Sequence, residues 1–210
     1  MFVVDSMASS DAEIEWHPLK PFLPENAKVI FLGSFPPPRK RWSMDFFYPN
    51  WINDHWRIEG QVFFGDKNRF VDNELKTFRL EDVVSFLCDR GIALFDTATA
   101  VRRLQGNASD KFLEIVVPTD VDLLLKSIPH CRAIVTTGEK ATSVLCETYG
   151  IAEMPGVGSF VYIPERFNAD GEQLILYRLP SSSRAYPLAF DKKVEAYRRM
   201  FETVGFVFPD

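Results

Sequence analysis

The residues able to do chemistry in this chain fall just after its most apolar runs. Gly33-Ser34-Phe35-Pro36 follows one such run and Asp96-Thr97 a second. Gly138-Glu139-Lys140-Ala141 follows a third, and Pro180-Ser181-Ser182-Ser183-Arg184 a fourth. Between the first two lies the segment 44–56, where Phe46, Phe47, Tyr48, Trp51 and Trp56 are mixed with Asn50, Asn53 and Pro49. Aromatic faces stack on planar bases, and amides hydrogen-bond base edges. Three serines and an arginine at a strand end can grip phosphate through hydroxyls and backbone N–H groups. Each signal also has a plainer reading. Most of the aromatics suit a core. Asn53 suits the start of a helix, because its side-chain oxygen accepts a backbone N–H, and Asp96 divides in the same way between site and cap. The turn after the first run carries neither GxGxxG nor GxxxxGK[ST], which counts against nucleoside triphosphates and dinucleotide cofactors.

The elements that must position these residues can be read from the hydrophobic pattern. The runs at 29–33, 92–96, 133–138 and 174–179 are continuous rather than alternating, as in strands buried on both faces of a parallel sheet. Helical patterns separate them at 53–64, 80–89, from 119 onward and at 139–149. A last helix over 191–204 sets Val194, Tyr197, Phe201 and Val204 on one stripe, with Gly205 closing it. The segment 160–163, ended by Pro164, is a candidate edge strand. Alternation of strands and helices predicts right-handed βαβ units in a three-layer α/β/α sandwich around a four-stranded, mainly parallel sheet. Ligands bind such sheets at the C-terminal ends of the strands, where all four polar stretches lie. With no repeat and no low-complexity linker, residues 1–210 read as one domain, the first 15 as a frayed lead.

Composition narrows the class. No run of 18 apolar residues is present, so no membrane span is expected, and residues 1–11 do not resemble a secretory signal. Cys88, Cys131 and Cys146 are widely spaced without a CxxC pair. They read as buried free thiols in a reducing cytoplasm, with no disulfide frame, metal or iron–sulfur cluster. His17, His55 and His130 are scattered and give no metal spacing. The net charge of -5 argues against a uniformly basic nucleic-acid-binding face. The cations nevertheless cluster: Arg39, Lys40 and Arg41; Arg102 and Arg103; Arg184; and Lys192, Lys193, Arg198 and Arg199.

Taken in order, Leu32-Gly33-Ser34-Phe35-Pro36, the segment 48–56, Gly91-Ile92-Ala93-Leu94-Phe95-Asp96, Gly138-Glu139-Lys140-Ala141 and Leu179-Pro180-Ser181-Ser182-Ser183 resemble the motifs of the uracil-DNA glycosylase superfamily. Their spacing is most similar to the hypoxanthine-DNA (deoxyinosine) glycosylase group. The similarity covers roughly residues 27–186. It implies a monofunctional glycosylase that excises a deaminated base, hypoxanthine or uracil, from damaged DNA as a monomer without cofactor or metal. By position, Asn53 matches the catalytic asparagine and Tyr48 the aromatic that stacks on the flipped base. Gly33, Ser34 and Phe35 match the first motif around base and water, and Asp96 stands at the second strand end within reach of the site. Ser181, Ser182, Ser183 and Arg184 match the loop that compresses phosphates and wedges the duplex. The chain departs from its relatives in three places. Its first motif carries no carboxylate or amide, which moves that burden to Asn53. Pro36-Pro37-Pro38 replaces the usual glycine, and Arg184 stands where a small residue is common. A catalytically silent DNA- or nucleotide-binding module on the same fold, or a hydrolase of free nucleosides, remains a rival expectation.

Overall fold

The structure, a computed structural model, describes residues 13–104 and 112–208. In chain order the strands are β1 (Ile14–Trp16), β2 (Val29–Gly33), β3 (Val71–Asp72), β4 (Thr77–Phe78), β5 (Ile92–Asp96), β6 (Ala98–Arg103), β7 (Leu113–Pro118), β8 (Ala133–Thr136), β9 (Ser159–Phe167) and β10 (Gln173–Arg178). The helices are α1 (His55–Phe64), α2 (Leu80–Arg90), α3 (Val121–Ser127), α4 (Glu139–Tyr149) and α5 (Phe190–Thr203). The central sheet runs β5-β2-β8-β10-β9. The four strands read from apolar runs are its parallel members, paired in register Val29 with Ile92, Val29 with Ala133 and Ile175 with Ala133. Val29, Ile30, Phe31 and Leu32 are completely buried, as expected of a strand covered on both faces.

The sheet therefore has five strands among the described residues rather than four. The fifth, β9, lies antiparallel on the edge and extends well past Pro164. A register shift opposite Gln173 and Ile175 carries the proline in an irregular stretch, next to Glu165 at φ 54°. An edge strand tolerates a missing N–H there, because that side pairs with no other strand.

A second sheet, β1-β6-β7, was not legible in the sequence. The segment 96–103 reads as a polar turn leading into two cations, yet Ala98–Arg103 forms β6. Ala98, Ala100, Val101 and Arg103 are its buried positions. Small residues and two register shifts break the alternation by which a half-buried strand is recognised. Its antiparallel partner β1 shows that the described part of the N-terminal lead, from residue 13, is paired strand rather than frayed chain. Residues 1–12 lie outside the description.

The helices fall close to their sequence positions. Asp120 caps α3 by accepting the Leu123 backbone N–H at 3.0 Å. Gly205 follows α5 with φ 89°, the left-handed turn that ends a helix without Cβ strain. Cys131 and Cys146 are buried as expected, but Cys88 is exposed on the outer face of α2. No helix among the described residues is long and apolar enough to cross a membrane.

Candidate base-binding cleft

A cleft of about 370 Å³ opens where the parallel strands end. It is within the size range of small-ligand sites. Gly33, Ser34 and Phe35 from the β2 end line it, with Asp96 from β5, Thr137 after β8 and Ser181, Ser182 and Ser183 after β10. Tyr48 and Asn53 complete the wall from the connection between β2 and α1. Nine of the ten residues singled out from the sequence therefore share one cavity.

Arg184 is the exception. It is absent from the cleft wall, and its Nε donates to Asp54 Oδ1 at 2.8 Å. The loop it belongs to is tied to the start of α1 at several points. Asn53 and Ser183 form an isolated antiparallel bridge, and Asp54 N–H donates to the Ser182 carbonyl at 3.0 Å. The buried Lys193 ammonium donates to the Ser183 carbonyl at 2.7 Å. Burial lowers the Lys193 pKa. These bonds clasp two cleft walls that lie 130 residues apart along the chain.

Asn53 makes a helix-start bond and also stands in the cleft wall. Its Oδ1 accepts the His55 backbone N–H at 2.9 Å at the first residue of α1, while its side chain lines the cleft. Its backbone carbonyl accepts Arg57 Nη1 at 3.0 Å. The same nitrogen donates to Trp51 O at 2.9 Å, and the guanidinium lies 4.4 Å above the Trp51 ring. With one lone pair of Oδ1 held by the helix start, the side chain keeps its amide N–H₂ as a donor.

Tyr48 sits at φ 48°, in the left-handed region that costs a non-glycine residue about 1 kcal/mol or more. That conformation lays its ring parallel on the His55 imidazole, 3.5 Å between centroids and 11° between planes. The hydroxyl meets Thr137 Oγ1 at 3.2 Å. One ring face is thus covered from below, and a planar guest can meet only the other. Burial raises the Tyr48 pKa, against a smaller lowering by the Thr137 hydrogen bond. Burial also pushes His55 down to about 3 and Glu59 well above the usual carboxyl range. Glu59 Oε1 stands 3.8 Å from His55 Nε2, so the stack under the cleft is a neutral acid beneath a neutral imidazole. Phe47 and Trp56 are core residues; Phe46 and Trp51 are half-buried and pack against that core.

Asp96 is nearly buried and caps no helix. Its Oδ2 meets His17 Nε2 at 2.8 Å. A Cβ on Gly33 would fall 2.3 Å from Asp96 Oδ1, so only glycine leaves room for that carboxylate at the β2 end. His17 is the site residue that sequence reasoning missed. It lies 79 residues from Asp96, just past the segment read as a frayed lead, and no local spacing links the two.

Several of the clustered cations are committed elsewhere. The Arg103 guanidinium is buried, donating to Glu15 at 2.9 Å and to the Pro36 carbonyl at 2.5 Å. It holds the proline turn instead of facing solvent. Arg39 pairs with Asp45, Arg102 with Glu114, Arg198 with Glu202, and Lys192 and Arg199 both with Glu195. Arg41 is the cluster member that lines the cleft.

No protein-family model matches the chain, and no curated protein does. Among solved structures, the fold is similar to that of a Methanosarcina acetivorans protein studied by solution NMR and provisionally assigned as a uracil DNA glycosylase. The match has a TM-score of 0.58 at 23% sequence identity, and it covers 90% of this chain and 99% of that one. At this identity the likeness concerns the fold: a mixed α/β architecture with a five-stranded, mainly parallel sheet.

Proposed function

We propose that this chain is a monofunctional DNA glycosylase that hydrolyses the N-glycosidic bond of a deaminated base, hypoxanthine or uracil, flipped out of DNA. The observation that carries the reading is the meeting, in one cleft, of a ring with a single open face (Tyr48), an amide donor (Asn53) and a buried carboxylate (Asp96). A base extruded from the duplex enters with its sugar left at the mouth. Stacking on Tyr48 returns about 1–3 kcal/mol of the few kcal/mol that extrusion costs.

Cleaving the bond builds positive charge on the sugar and negative charge on the base. The useful contacts are those that strengthen as this charge develops. In the proposed complex the leaving base faces the Gly33–Phe35 turn. Asn53 orients a water at C1′ through its N–H₂, while the α1 backbone fixes its carbonyl. An amide is a weak base, which suits a dissociative reaction in which water needs positioning more than deprotonation. Arg184, displaced from Asp54 by a phosphate, and the serines of 181–183 would hold the backbone at the rim.

The bond from Asn53 Oδ1 to the helix start is also what a purely structural asparagine makes. It favours a second reading, a base-binding module without turnover. Duplex and single-stranded oligonucleotides carrying one uracil, hypoxanthine or xanthine separate the two. Incubation followed by alkali breaks the strand at the modified base if the chain is a glycosylase. Specific binding of those oligonucleotides without breakage leaves the silent module, and neither result removes both.

A further inference from the structure

The Asp96 carboxylate has a partner that the proposed reaction has not used. His17 follows β1, which is held by β6, the strand that continues the chain beyond Asp96. The His17 backbone N–H donates to the Thr99 carbonyl at 2.8 Å. Its side chain is 3% exposed. The ring packs among Phe95 at 4.6 Å, Phe35 at 5.3 Å and Phe47 at 6.2 Å between centroids.

Both ring nitrogens are engaged. Nδ1 lies 3.1 Å from the Leu19 backbone nitrogen, which can only donate to it. That puts the proton of the neutral ring on Nε2, facing Asp96 Oδ2. Nδ1 is also 2.9 Å from the Leu19 carbonyl, to which a doubly protonated ring would donate. In either form it is Nε2–H that meets the carboxylate.

We propose that His17 is a positioning residue of this cleft, whose Nε2–H fixes Asp96 so that Oδ1 faces a bound base as a stationary, acceptor-only atom. The proposal rests on the base-binding reading above. Among the described residues no group donates to Oδ1, and it stands directly over the Gly33 backbone. An acceptor fixed on the cleft floor favours a ligand edge that presents N–H there, and it disfavours one that presents only lone pairs or a methyl group. The ring N–H of a lactam base, N3–H of uracil or N1–H of hypoxanthine, is such a donor.

The test compares wild type with His17→Gln, which keeps an N–H donor at the end of the side chain, and His17→Phe, which keeps the ring packing and loses the donor. Ligand-observed NMR measures the binding of free uracil and hypoxanthine against 3-methyluracil and 1-methylhypoxanthine. Wild type should prefer each N–H base by about 10-fold or more, on the scale of one hydrogen bond to a charged group. His17→Gln should keep most of that preference and His17→Phe should nearly erase it, with thermal unfolding checked on both. If His17→Phe does not fold, His17→Leu takes its place. The proposal is overturned if the variant lacking the donor discriminates like wild type, if His17→Gln loses the preference as fully as His17→Phe, or if wild type binds neither base or ignores methylation. Excision of the same bases from oligonucleotides is read in parallel. Discrimination in binding without excision would sink the glycosylase reading and leave the role of His17 standing.

Discussion

Within single residues, the cleft depends on one side chain doing double duty and one side chain that is missing. Asn53 stands just before α1, accepts the backbone N–H of its first residue and lines the cavity. Replacing it with alanine should therefore slow base release by about 100-fold or more, the usual loss when one positioned donor is removed. Binding of the modified oligonucleotide should stay within a few-fold of wild type. Turnover from alkali-developed strand breaks and affinity from fluorescence anisotropy check this, and near-wild-type turnover would leave Asn53 as a helix-start residue only. Gly33 is the missing side chain. Its alanine variant would drive a methyl group against Asp96 Oδ1, so Gly33→Ala should lose about 1–3 kcal/mol of stability, as overpacked sites do. Urea unfolding measures that loss. In an Asp96→Ala background the penalty should largely vanish, because the clashing carboxylate is gone; an unchanged penalty would place the strain elsewhere.

Among the elements, what was legible was whatever carried a strong local signal. Four strands with continuous apolar runs and five helical patterns appear close to where the sequence puts them, and nine of the ten anticipated residues meet in one cleft. What was hidden was long-range or weakly patterned. β6 is built of alanines and arginines, and β1 has three residues. The pairing of His17 with Asp96 exists only because those two strands meet. Arg103 reads as a surface cation and is instead the buried brace of the proline turn. The loop after β10 holds the clearest prediction at this scale. Arg184 pairs with Asp54, a carboxylate that it would give up for a phosphate in the proposed complex. Arg184→Ala should weaken binding and turnover several-fold on duplex, where opening the stack is costly, and less on a single strand, where the base is already free. Equal losses on both would mean a plain phosphate contact; no loss on either would remove Arg184 from the site.

For the whole molecule, the neutral stack beneath Tyr48 should leave a mark on stability. Burial holds the Glu59 pKa in the folded state well above its ordinary value of 4.5. Above that pH the unfolded state binds fewer protons, so wild type loses stability as pH rises toward neutrality. His55 acts in the opposite sense: its folded pKa is pushed to about 3, so stability is lost as pH falls from about 6.5. Glu59→Gln removes the first effect and leaves the second. The variant should be more stable than wild type at pH 7, with the gap closing toward pH 4.5. Urea unfolding across that window would refute this if the gap stayed constant. The clasp between residues 53–54 and 182–183 bears on how the protein comes into being. One wall of the cleft is synthesised about 130 residues before the other, and the pairs that join them are among the most distant in the sequence. Closing such contacts is slow and comes late. A chain interrupted before β10 would leave β8 as a bare apolar edge, open to other chains. Such a fragment should aggregate, not work feebly, so the cleft exists only in a molecule whose synthesis has passed β10 and the loop that follows it.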